Sequence, residues 1–257
     1  MPNLFSPQTN IYAKVSVVVL ALLPWAVIYA GMTISRSPAN TNVGIAANQP
    51  VPFSHMHHAL ELGIDCRYCH VNVEKSSYAT VPPTETCMSC HSQIWTNSPL
   101  LEPVRKSYET GEPIAWQDGS GEVGWNQLNR VPDFVYFNHS IHIDRGVNCN
   151  QCHGPVQKMM LTYKGNPFQM RWCLQCHQNP ENYLYKDPTR PDLSPRQQVF
   201  NLYEKLQEGA KLSPKEEALA NGVDYKPSAE EQQQGMEIVD KLHIQVGQNR
   251  DCSICHH

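Results

Sequence analysis

The chain has 257 residues, enough for one or two domains, with a formal net charge of −4 and only 17% charged residues. Nothing is basic enough for a nucleic-acid footprint, and no long like-charge run marks a polyelectrolyte tail. Twenty prolines, ten cysteines and twelve histidines exclude collagen, a coiled coil, a disordered tail and a multi-span transporter, leaving a metal, haem or disulfide protein with many turns.

The first element lies in residues 1–36. Residues 15–35, VSVVVLALLPWAVIYAGMTIS, carry no charge, and about 20 helical residues cross a hydrocarbon layer roughly 30 Å thick. Trp25 and Tyr29 lie within it, Tyr29 near the far end as an interfacial aromatic; Pro24 would kink the span. A cleaved signal peptide ending at Ile28-Tyr29-Ala30 is the alternative. A single Lys14 ahead of the run, and a run longer than the usual 7–15 residues, favour an uncleaved single-pass anchor.

Every cysteine then falls into one pattern: Cys66-Arg67-Tyr68-Cys69-His70, Cys87-Met88-Ser89-Cys90-His91, Cys149-Asn150-Gln151-Cys152-His153, Cys173-Leu174-Gln175-Cys176-His177 and Cys252-Ser253-Ile254-Cys255-His256. Two cysteines three apart on a tight turn can each add to one of two neighbouring vinyl groups of a porphyrin. The next residue, His, then reaches the iron as proximal ligand, which is the c-type haem attachment signal. Zinc also takes CxxC pairs, but neither zinc nor a disulfide framework requires His after each second Cys. Chance would supply all five on the order of once in several million. Five c-type haems are expected. Such haem is attached outside the cytoplasm, so the body is expected on the periplasmic side of a bacterial inner membrane, with Lys14 inside.

An internal repeat supplies candidates for the second axial ligands. Phe53-Ser54-His55-Met56-His57-His58 precedes Cys66, and Phe137-Asn138-His139-Ser140-Ile141-His142 precedes Cys149. Both read F-x-H-x-x-H, and in each case a second CxxCH follows the first after 16 or 19 residues. This is a duplicated two-haem module, at 37–100 and 137–180, joined by a Pro- and Gly-rich, loop-like linker at 101–136. The distal ligands expected are His55, His58, His139, His142 and, for the lone site at 242–257, His243. His57 is expected to be a passenger, and His257 to meet solvent or a propionate. Met159, Met160 and Met170 compete as ligands, although core filling is the ordinary role of methionine. Residues 181–241 form a helical insertion: Ser194-Pro195, Ser213-Pro214 and Ser228 start three helices, the first two ending at Gly209 and near Gly222.

The fold expected is that of a multihaem cytochrome c: mostly short α-helices and irregular loops packed on five haems, with little or no sheet and one N-terminal transmembrane helix. The repeated modules resemble class III multihaem cytochromes. That resemblance implies that the first His of each pair serves its own module's first haem and the second serves another. Five haem motifs, one anchor and the segments VPFSHMHHALELGIDCRYCH and VYFNHSIHIDRGVNCNQCH together resemble the pentahaem subunits of alternative complex III. The likeness covers most of residues 10–180 and the last haem site. It implies a complex with an iron–sulfur/molybdopterin-like large subunit, polytopic quinol-binding membrane subunits and a monohaem cytochrome c. The chain would then relay electrons from quinol-oxidising centres to a periplasmic acceptor or terminal oxidase, without being an enzyme itself. A self-sufficient membrane quinol dehydrogenase feeding a soluble periplasmic reductase is the alternative. Catalysis at haem needs an open iron, and no motif departs from CxxCH to provide one.

Overall fold

The computed structural model describes residues 6–256. It divides into two units, one up to Val43 and one from Gly44 onward.

In the first unit, helix α1 runs from Pro7 to Arg36, about 45 Å at 1.5 Å per residue. Pro7 starts it, where a missing N–H costs nothing. Its apolar side chains are exposed along its length, and it is long and apolar enough to cross a membrane. Hydroxyls inside the run are turned back on the helix: Ser16 donates to the Ala13 carbonyl and Thr33 to that of Tyr29, so neither needs water. A single turn, α2 (Pro38–Thr41), follows and is closed by Asn42 in the left-handed region.

The second unit contains no strand among the described residues; its β structure is three isolated antiparallel bridges. Its helices are α3 (Cys66–Cys69), α4 (Thr84–His91), α5 (Glu102–Thr110), α6 (His139–Asp144), α7 (Cys149–His153), α8 (Met170–Gln178), α9 (Pro195–Glu208), α10 (Pro214–Asn221), α11 (Ala229–Lys241) and α12 (Cys252–Cys255). Met56–Glu61 forms a π-helical turn. Most of these helices begin at or just before a haem motif or after a capping serine, which keeps them short.

Residues 101–136, expected as a loop, include the nine-residue α5. Pro103 lies in its first turn, and Gly111 closes it in the left-handed conformation. The residues that read as breakers are the helix's two ends. Val104 is 2% exposed and packs with Val51 and Ile114 into a small core that Cys87 and Met88 of α4 also join.

The insertion at 181–241 forms its three helices from the expected serines. Ser194, Ser213 and Ser228 each complete a capping box, with Gln197, Glu216 and Glu231 respectively, satisfying two otherwise orphaned N–H groups apiece. Gly209 and Gly222 end α9 and α10 in the left-handed region. The buried face of α9 sets the position of the first and third CxxCH motifs. Val199 and Phe200 join Val73 and Ile143 in a core against which Cys66 and Cys149 pack. Lys205 on the same helix lies between Asp187 (2.5 Å) and Glu216 (2.7 Å), two carboxylates almost fully buried. Their pairing with one cation offsets part of their desolvation. Helix α11 crosses the turn at Pro180–Asn182. A Cβ at Gly235 would collide with the Glu181 carbonyl oxygen, so only glycine permits this approach.

Candidate functional site

Among the described residues, four of the five CxxCH histidines each face a second imidazole. The ring centroids of His55 and His70 are 6.5 Å apart and their planes differ by 7°. His58 and His91 are 6.2 Å apart at 65°, His139 and His153 6.2 Å at 5°, and His142 and His177 6.2 Å at 29°. Two imidazoles bound through nitrogen to one metal at about 2.0 Å would put their centroids roughly 6.3 Å apart. The gaps therefore fit one iron each. In both modules the first upstream His faces the first CxxCH and the second faces the second.

Repeated local chemistry aims these rings. Phe53 meets His55 edge-on (4.9 Å, 88°) and stacks on His58 (4.4 Å, 24°). Phe137 meets His139 edge-on (4.7 Å, 90°) and stacks on His142 (4.7 Å, 24°). The motif's Phe thus fixes the planes of two imidazoles at right angles. Seven of the eight paired rings also have Nδ1 engaged. His58 bonds the Ser54 carbonyl (2.8 Å) and His142 that of Asn138 (2.7 Å). His70 bonds the Thr80 carbonyl (2.7 Å), His91 that of Ile94 (3.1 Å) and His177 that of Asn249 (3.0 Å). The first His of each module is held by the other module: His139 by the Ser77 carbonyl (2.8 Å), His55 by the Thr162 hydroxyl (3.0 Å). An Nδ1–H committed to an acceptor fixes the tautomer that presents Nε2 as a ligand.

Thr80 adopts φ +61, rare for a β-branched residue, while its carbonyl receives His70. Trp95 and Phe168, at φ +56 and +50, lie beside His91 and His153. Backbone strain in the body thus gathers where imidazoles are positioned.

Burial lowers His55 and His153 to about 4, with neighbouring imidazoles adding to the effect. Burial also lowers His58, His139 and His142. These rings are neutral at pH 7, as ligation requires. Burial likewise pushes the Cys66, Cys152 and Cys176 thiols up to about 12. All ten cysteines are unbridged, and no cluster of three His, Cys, Asp or Glu groups suited to a bare metal ion occurs among the described residues.

The fifth site differs. Phe134 stacks on His256 (5.7 Å, 27°), Val135 bridges to His256, and the Tyr136 N–H donates to the Cys255 carbonyl (2.8 Å). Among the described residues no ring contact joins His243 to His256; His243 sits at φ +52. His57 bonds Glu61 (2.9 Å) and stacks on Trp95, apart from the paired rings' roles. His257 lies outside the described residues. Met159 is 2% exposed and fills core, whereas Met160 and Met170 are exposed.

Two features were readable in the sequence and carried no role there: the motif's Phe, and the residue before the first Cys. Asp65 and Asn148 cap α3 and α7, each accepting the N–H two residues on. Asx at that place is an ordinary N-cap signal.

Residues 135–201 match the family described as cytochrome c7 and related cytochrome c. The chain is 31% identical over 157 residues to the menaquinone reductase multihaem cytochrome c subunit of Nitratidesulfovibrio vulgaris, an alignment covering 53% of this chain and 70% of that one. The cofactor of such proteins is c-type haem, the group that the cysteine spacing and the imidazole gaps fit. With its helical, strand-poor body and its CxxCH segments, this chain belongs to the multihaem cytochrome c family.

Proposed function

We propose that the chain is a membrane-anchored pentahaem cytochrome that relays electrons within a quinone-reactive complex of the alternative complex III type. The observation that carries this reading is the set of four imidazole pairs 6.2–6.5 Å apart. Bound haem supplies reversible one-electron chemistry. The chain's own residues do the rest: Cys66, Cys69, Cys87, Cys90, Cys149, Cys152, Cys173, Cys176, Cys252 and Cys255 tether, and paired histidines close both axial positions. That leaves no place for a substrate at those irons and favours a relay over catalysis. Helix α1 would hold the chain in the inner membrane, with the body in the periplasm. Its partners would be an iron–sulfur/molybdopterin-like large subunit, polytopic quinol-binding subunits and a monohaem cytochrome c.

The direction of flow has a second reading. The relative's name assigns menaquinone reduction to its complex, so electrons here could run toward the quinone rather than away from it. Six-coordinate irons conduct both ways, and the partners' potentials decide. Gentle extraction from the native membrane, with mass spectrometry of what co-purifies, tests the complex. Recovery with the large and polytopic subunits is expected; recovery alone, or with a soluble reductase, would contradict it. Reduction of the purified complex by menaquinol, rather than only by a periplasmic donor, would assign the outward direction.

A further inference from the structure

The five CxxCH segments are numbered here in chain order, and contacts between them do not follow that order. Tyr68, inside the first segment, hydrogen-bonds Ser89, inside the second, through their hydroxyls (2.9 Å). The first and third segments share a core: Cys66 and Cys149 both pack against Val73, Ile143, Val199 and Phe200. The same two modules hold each other's first histidine through Ser77 and Thr162. The third and fourth are joined by Phe168, whose ring lies 6.2 Å from that of His153 and 5.3 Å from that of Trp172, the residue before Cys173. The fourth and fifth meet where His177 bonds the carbonyl of Asn249 (3.0 Å), three residues before Cys252.

We propose that these segments form one unbranched electron path in the order second, first, third, fourth, fifth, open to redox partners at the second and fifth segments. This deepens the relay reading and rests on it. Exposure agrees independently. Of the ten cysteines, the two exposed ones are Cys90 and Cys252, one in each terminal segment. The first and third segments lie against α9, α10 and the inter-module contacts, and the fourth against the Pro180–Asn182 and Gln248–Arg250 turns. The path therefore reverses the first two sites relative to the chain: the second segment packs with Val51, Val104 and Ile114, while the first shares its core with the second module.

The test uses the full-length holoprotein. His58→Met and His139→Met each replace an imidazole ligand by a thioether, which raises the potential of that site. Redox coupling between sites is electrostatic and weakens with distance and screening. A haem-resolved redox titration by NMR should show His58→Met moving one other potential, that of the first segment. His139→Met should move two, those of the first and fourth. A His58→Met response at the third, fourth or fifth segment would overturn the order. Should a variant not mature, the iron positions of the wild-type holoprotein from cryo-electron microscopy decide the same point. Any nearest neighbour of the second segment other than the first overturns the order. Fewer than five covalent haems in the intact wild-type mass would instead overturn the relay reading beneath it.

Discussion

In the first module Phe53 stacks on His58 at 4.4 Å, and in the second Phe137 stacks on His142 at 4.7 Å; around these matching rings the backbones differ. Seven residues separate His58 from Cys66, and six separate His142 from Cys149. The longer segment contains a π-helical turn at Met56–Glu61, whereas its counterpart is the α-helix His139–Asp144. A π turn takes up one extra residue without moving the flanking groups. The caps differ as well. Asp65, about two-fifths exposed, is paired with Arg67 (2.7 Å), while Asn148, 5% exposed, receives the Tyr203 hydroxyl (3.2 Å) and donates to the Val199 carbonyl (2.8 Å). A charged cap serves where water reaches and a neutral one where α9 excludes it. The comparison teaches that ring geometry is held constant while burial decides which residue types achieve it.

The largest expected effect tests whether the modules are equivalent. His55→Ala and His139→Ala should each turn one low-spin ferric signal into a high-spin one and raise that site's potential, while the mass still shows five haems. Electron paramagnetic resonance reads this, and an unchanged low-spin spectrum would contradict the assignment. Next comes the cap. Asn148→Asp buries a carboxylate without a cation, raising its pKa above the unfolded value, so the penalty is absent at low pH and grows above the unfolded value. About 2–4 kcal/mol should be lost at pH 7 and recovered toward pH 4. Asp65→Asn should cost under about 1 kcal/mol, because that pair is solvent-screened. Hydrogen bonding from Arg67 lowers the Asp65 pKa, so the contribution of Asp65 is present at neutral pH. It fades as pH falls through that lowered value, and thermal melts across pH compare the two caps.

An effect between those of the two caps is expected at Gly165, where a Cβ would collide with the His153 carbonyl. Gly165→Ala should cost roughly 1–3 kcal/mol and perturb the third site's spectrum, leaving the first module's unchanged. The smallest concerns the reciprocal clamps. His55 is held by a side-chain hydroxyl and His139 by a backbone carbonyl. Thr162→Val should therefore shift one potential, by about tens of millivolts, whereas Ser77→Ala should shift none. A redox titration distinguishes them.

The haem motifs, the membrane-length helix and the three insertion helices were legible because each rests on local chemistry: fixed Cys–His spacing, an uncharged run, serine caps followed by Gln or Glu. The pairing of upstream histidines with particular CxxCH sites was half legible. Spacing singled out His55, His58, His139 and His142, but which ring each faces depends on packing. Helix α5 was missed because Pro103 and Gly111 read alike as breakers and as caps. Thr162 and Thr80 were illegible, since one acts across 107 residues and the other through its carbonyl rather than its side chain. At the fifth site, spacing pointed to His243, and among the described residues no ring contact joins it to His256 as the other four sites are joined.

The central claim is that both modules hold their irons between two imidazoles. Near-infrared magnetic circular dichroism of the oxidised holoprotein reads axial ligands directly, separating bis-histidine from histidine–methionine and from high-spin iron. Four bis-histidine centres are predicted, assignable to the two modules by their loss in the four single variants of His55, His58, His139 and His142. A histidine–methionine band, or high-spin iron that persists outside the fifth site, would contradict the account.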